Sequence, residues 1–305
     1  MLTAAQAPRA GVTLVELLVA ITLTGIVLAL VSALAFRQQR FYAGAFARLA
    51  LAGELRETAA LLPVELRGIA TSAGDIRGGE ARDTSLEFRA TIASAIVCDV
   101  IGGRVVLPPP APAGTTFAAL LATPQANDTA WVLMTVDTTE VWQPRRITAV
   151  TSISGGSCTG GAPPVSGGSL TTPRVALGLD TLDATIRAGV PLRITRPERY
   201  SVYRASDGAW YLGQRDWNPT TMRFNTIQPV TGAFLAPASG GLRFRYADSS
   251  GADLPSGTMN TRSIALITIA LTAETRRAVE ALGGGGGVRP RADSLVIAVH
   301  PRNRR

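Results

Sequence analysis

The chain has 305 residues, a formal net charge of +8, one histidine and two cysteines. So few soft ligands argue against a Cys/His metal centre, and two cysteines permit only one intrachain pairing. All 30 basic residues are arginine, which codon use in a GC-rich genome would produce. The charge would suit DNA or an anionic surface, but no basic patch interleaved with aromatics stands out, and DNA binding is not expected.

The first segment, residues 1–11, ends in Gly11 and carries one basic side chain, Arg9. An apolar run of 25 residues follows, 12–36, with a single charge, Glu16. As a helix it would be about 37 Å long, enough to cross a hydrocarbon core of about 30 Å. Its few Thr and Ser hydroxyls can bond back to the backbone. Arg37 and Arg40 close the run as snorkelling residues do at an interface. The run is too long for a cleaved signal, and no A-x-A site follows it, so a retained anchor is expected. Glu16 is out of place: an ionised side chain inside a membrane costs roughly 2.5–3.5 kcal/mol, and usually has a partner and a function. Solvation at headgroup depth is the plainer alternative.

Residues 37–72 predict an amphipathic continuation of the helix, with Phe41, Leu49, Leu55, Ala59 and Leu62 on one side. Pro63 is expected to end or kink it, with 64–69 adding a turn or two. Residues 73–305 then read as a β-rich head. Strands are predicted at 85–91, 95–100, 104–107, 130–136, 146–153, 174–179, 199–204, 209–214, 241–246, 262–272 and 294–300. Gly102-Gly103 and Asp207-Gly208 predict hairpins. Residues 155–168 read as an exposed irregular segment, and the glycines 283–287 as a flexible loop. The expected class is α+β, a long N-terminal helix packed on an antiparallel sheet.

Gly11-Val12-Thr13-Leu14-Val15-Glu16-Leu17 resembles the prepilin processing site of type IV pilins and type II secretion pseudopilins. The resemblance implies cleavage after Gly11 by a prepilin peptidase and methylation of the new N-terminus at Val12. It implies that Glu16 pairs with the N-terminal amine of an adjacent subunit during assembly, and that Gly25 loosens the helix. Two positions depart from the pattern. Val12 replaces the usual phenylalanine, and Ala33 stands where a proline is common. Counting basic residues alone would not put the N-terminus in the cytoplasm, since Arg37, Arg40, Arg48 and Arg56 follow the run and only Arg9 precedes it. The resemblance does put it there, with the head in the periplasm. In that oxidising compartment Cys98 and Cys158 are expected to pair, two free thiols being the alternative.

The back half, with Gly241-Leu242-Arg243-Phe244-Arg245-Tyr246, Ser263-Ile264-Ala265-Leu266-Ile267 and a close near Arg302-Asn303, is similar to large minor pilins of the PilW type. These are related to the J-type minor pseudopilin. The size of the head also points to a minor subunit.

No catalytic constellation or nucleotide-binding loop is present. His300 lies in a predicted strand near the C-terminus, where a lone histidine is an ordinary structural residue. Residues 248–253 have oxygen-rich spacing but lack an EF-hand's glutamate; a plain turn is expected. The expected function is structural: a minor pilin-like subunit that initiates or supports assembly of a type IV pilus. No cofactor, metal or enzyme activity is expected. The expected partners are prepilin peptidase, other pilins, the inner membrane and an assembly platform. The alternatives are a minor pseudopilin of a type II secretion system and, in another class, a membrane-anchored periplasmic binding protein or enzyme.

Overall fold

The computed structural model describes residues 13–109, 118–156, 158, 173–257, 260–275 and 290–301. Gly11, Val12, the glycines 283–287, the basic tail from Arg302 and most of 155–168 lie outside the described residues. Helix α1 (Leu14–Arg67) is 54 residues long. Fifteen strands follow among the described residues: β1 (Ser85–Ile96), β2 (Asp99–Ile101), β3 (Arg104–Val106), β4 (Ala118–Leu120), β5 (Thr129–Val136), β6 (Thr139–Ile153), β7 (Arg174–Leu179), β8 (Pro191–Arg204), β9 (Trp210–Asn218), β10 (Arg223–Phe224), β11 (Gln228–Phe234), β12 (Arg243–Ala247), β13 (Asp253–Leu254), β14 (Leu266–Glu274) and β15 (Ala292–Val299). The class is α+β, as the pattern of one long apolar helix followed by short alternating segments predicts.

The chain divides into two compact units. The first comprises residues 1–53 and 274–292, the second 54–273 and 293–305. The apolar half of α1 belongs to the first, and nearly all of the sheet to the second.

Within the second unit, residues 54–67 of the helix bury Leu55, Thr58, Leu62 and Leu66, an i, i+3, i+7, i+11 stripe. Each fully buried leucine contributes about 1.5–3 kcal/mol relative to exposure. The expected apolar side is corrected for Phe41 and Leu49, which are 60% and 67% exposed. Six residues turn a helix by about 600°, so Leu49 cannot share a face with Leu55. Pro63 does not end the helix; α1 runs on to Arg67. The ring removes one backbone donor, but Leu62 and Leu66, fully buried on either side of it, hold the last turn in place. The helix therefore stops five residues short of the expected boundary at 72.

β8 is the spine of the sheet. On one side it pairs with β1 from Ser85↔Ser201 to Ile96↔Pro191. On the other, its first half pairs with β5 and its second half with β9. From β9 the sheet continues through β11, β14, β12 and β13, and β15 joins β14. β6 is shared between two partners. Residues 139–146 pair with β5 and 147–153 with β7, so one long strand turns the chain from one layer into the next. β7, β3 and β2 complete that second layer. Between the layers lies a core holding Ile92, Ala95, Val132 and Ile194 from β1, β5 and β8, with Val105, Ile147 and Leu177 from β3, β6 and β7.

The Gly102-Gly103 turn joins β2 to β3 as predicted, both glycines having positive φ, 56° and 72°. The strand expected at 95–100 is split by a change of partner: the Val97 amide still follows the β1–β8 register and donates to the Val190 carbonyl, whereas the Cys98 amide donates to Val106. The segment expected to be extended from 262 begins instead with a 3-10 turn, Thr261–Ser263, capped by the Asn260 side chain. β4, β10, β11, β13 and the first halves of β6 and β8 were not expected. Pro144, Pro197, Pro229 and Gly232 interrupt three of these stretches, and such residues argue against strand in a single sequence.

Cys98 and Cys158 are joined, with an S–S distance of 2.00 Å. Cys98 packs with Val106 and Ala176 in a small buried cluster. Residues 248–253 form a turn in which Asp248 Oδ1 accepts from the amides of Ser250 and Ala252 and from the Ser250 hydroxyl. These bonds hold its carboxyl below the usual range.

Candidate functional site

Thr13 stands just before the first residue of α1, and Glu16 is the third residue inside it. The Glu16 amide donates to Thr13 Oγ1 at 3.3 Å, and Thr13 N and Oγ1 donate to Glu16 Oε2 at 3.3 and 3.5 Å. This is a reciprocal capping box, which satisfies backbone donors that no helix can satisfy from within. A carboxylate in the first turn also opposes the positive end of the helix dipole. The T-x-x-E spacing of Thr13 and Glu16 is the local sequence signal of such a box. Oε1 of Glu16 has no partner among the described residues.

From this cap the helix presents an unbroken apolar surface. Every residue from Thr13 to Tyr42 is exposed, and α1 is long and apolar enough to cross a membrane. Thr22 and Thr24 donate their hydroxyls to the carbonyls of Val19 and Ala20, which lowers the cost of their transfer into an apolar phase. At Gly25 the helix is continuous, and nothing lies within 4 Å of where a Cβ would stand. This is the arrangement of a single-pass anchor, exposed where lipid or other helices must cover it.

The second unit contributes a polar cluster that sequence reasoning missed. Tyr200, on β8, donates its hydroxyl to Glu65 Oε2 on α1. Gln214 Nε2 donates to Glu198 Oε1 at 2.6 Å. Burial, and then the Glu65 carboxyl, push Glu198 up to about 7. Burial and the same two carboxyls raise the Tyr200 phenol well above its usual range, so it remains a donor. The pairing of α1 with β8 across 135 residues gives no local signal that a sequence could show.

Glu198 should make the fold pH-sensitive. The folded chain holds this proton up to about pH 7, whereas a glutamate in the unfolded chain loses it near 4.5. Between those limits the folded state binds more protons than the unfolded one, so stability falls as pH rises. Glu198→Gln is expected to flatten that slope, gaining about 2–3 kcal/mol over the parent at pH 8 and almost nothing at pH 4.5. Urea unfolding at the two pH values checks this; an equal effect at both would remove the proton from the account.

Among the described residues no group of three or more His, Cys, Asp or Glu could hold a metal ion. Of the residues singled out from sequence, the fold brings Cys98 and Cys158 together. Glu16 sits with Thr13 on the helix start, and Gly25 lies on the bare apolar stretch.

Residues 7–32 match the family model described as the prokaryotic N-terminal methylation motif. No curated protein and no solved structure matches the chain. The matched segment contains Gly11, Val12, Glu16 and Gly25, and it supports a type IV pilin-like or pseudopilin protein.

Proposed function

We propose that this chain, which carries the methylation motif of type IV pilins and pseudopilins, is a minor pilin-like subunit that initiates or supports assembly of a type IV pilus. The observation that carries the reading is the motif at residues 7–32, set on a capped and wholly exposed apolar helix. Prepilin peptidase cuts after Gly11 and the new terminus at Val12 is methylated. The apolar half of α1 holds the protein in the inner membrane by a single pass, with the head in the periplasm, until it enters the filament core. There Glu16, whose Oε1 is not used by the cap, pairs with the Val12 ammonium of a neighbouring subunit. Gly25 lets the helix bend or lets another helix approach, and the Cys98–Cys158 bridge persists in the oxidising periplasm. The large head and its back-half sequence favour a minor subunit of the PilW type.

Mass spectrometry of the mature N-terminal peptide tests this directly. A peptide beginning at methylated Val12 is the expected result. An intact Met1, or a cut elsewhere, would remove the basis for filament entry.

A further inference from the structure

Cys98 and Cys158 form one bridge but stand in different surroundings. Cys98 is fully buried, packed with Val106 and Ala176. Cys158 is partly exposed. Three strand registers build the wall around Cys98. Asp99↔Val106 joins β2 to β3, Val106↔Ala176 joins β3 to β7, and Ile153↔Arg174 joins β6 to β7. Arg174 and Ala176 stand two apart on β7 and therefore share a face. Arg174 Nη1 thus donates to Cys98 Sγ at 3.8 Å. Arg174 is itself only 8% exposed. Gly156, two residues before Cys158, passes directly over its guanidinium, and a Cβ there would stand 2.9 Å from Nη2.

This asymmetry decides how the bridge meets an outside thiol. In thiol–disulfide exchange the attacking thiolate bonds to one sulfur, and the other leaves with the electron pair of the broken bond. Access selects Cys158 as the sulfur attacked, because Cys98 has no exposed surface. Charge then favours Cys98 as the leaving group. A thiolate formed in a purely apolar pocket would be costly. Here it forms against a cation that is already buried, and a neighbouring arginine favours thiolate over thiol. A better-stabilised leaving sulfur leaves faster.

We propose that Cys158 is a thiol-exchange site of the head, which takes a small external thiol as a mixed disulfide while Cys98 leaves as a thiolate held by Arg174. In this step the external sulfur bonds to Cys158 Sγ, the Cys98–Cys158 bond breaks, and its electron pair stays on Cys98; no proton moves. Attack of Cys98 on the mixed disulfide reverses the step, so the bridge remains the resting form in an oxidising compartment. The site is independent of the filament reading. The full-length oxidised protein in detergent is treated with excess glutathione, quenched in acid and read by peptide mass spectrometry. Glutathione is expected on Cys158, with Cys98 free. Reduction by dithiothreitol is expected to slow roughly fivefold or more in Arg174→Gln and to recover in part in Arg174→Lys, which restores the charge. The direction separates this role from a structural one, since loss of a merely structural arginine would loosen the fold and speed reduction. In Cys158→Ser, Cys98 is the chain's only thiol, and its ultraviolet thiolate absorbance is expected at neutral pH. That chain decides alone if Arg174→Gln does not fold. Glutathione on Cys98, no exchange in the folded protein, an unchanged or faster reduction of a folded Arg174→Gln, or no Cys98 thiolate at neutral pH each overturns the proposal.

Discussion

Asp75→Ala is expected to destabilise the head by about 3–5 kcal/mol, the range measured when one member of a buried ion pair is removed. Asp75 is fully buried, and Arg193 grips it with both fork nitrogens, Nη1 to Oδ2 and Nη2 to Oδ1, each at 2.9 Å. The same carboxylate accepts from the Ala70 amide at 2.8 Å. It therefore fastens the link that leaves the helix onto the centre of the sheet. The Arg193 guanidinium also lies 5.2 Å from the Trp131 ring centre and 5.9 Å from that of Trp142. Without Asp75 this charge is left largely buried among aromatic rings without its carboxylate. Arg193→Lys preserves the charge but not the fork, and a loss of about half that size is expected, because a single ammonium cannot satisfy both oxygens in the same plane. Chemical denaturation of the full chain in detergent reads both. A loss below about 1 kcal/mol for Asp75→Ala would mean that Arg193 reaches solvent in the folded state.

This pair shows where sequence reasoning stopped. The arginines were counted as a consequence of codon use, and many of them sit on the surface as that view implies. On β8, however, Arg193, Arg196 and Arg199 each meet a buried carboxylate: Asp75, Asp128 and Glu87. The partners lie 118, 68 and 112 residues away along the chain. No window of sequence contains such a pair, and only the folded ladder of β1, β5 and β8 brings them into register. The helix is the opposite case. Its length, apolar run and cap are local, so its composition alone gave its start and nature. Its end at Arg67 falls within the turn or two expected beyond Pro63 and short of the boundary at 72; Leu62 and Leu66, buried on either side of the proline, carry the helix past it. The same limit applies to the sheet. β3 and β7 have local turn or β-branched signals and are legible in the sequence, whereas the end of β1 and β2 read as one strand at 95–100. β11, with Pro229 and Gly232, is a strand only because β9 supplies its hydrogen-bond partners. At the helix start, Glu16 was read through the terminus it would face, whereas the capping box with Thr13 is a second use of the same side chain.

Those two uses can be separated. Glu16→Gln retains an acceptor oxygen at the third helical position, so it can keep the capping box while losing the charge. Glu16→Ala loses both. Thr13→Ala keeps the charge and loses the cap, at a cost of about 0.5–2 kcal/mol to the start of the helix. If the carboxylate pairs with a neighbour's ammonium, both Glu16 variants should still insert and be cut after Gly11, yet enter filaments at least tenfold less often than the parent. A tenfold drop is about 1.4 kcal/mol, well within what one ion pair in an apolar medium supplies. Thr13→Ala should stay within about threefold of the parent. Sheared filaments probed with antibody against the head, with cleavage followed in parallel on whole cells, give the ratio. Normal entry of Glu16→Gln together with failure of Glu16→Ala would assign the residue to the cap and take the charge out of assembly. Poor insertion of the parent relative to Glu16→Gln, without any difference in filament entry, would leave the carboxylate as an unpaired cost.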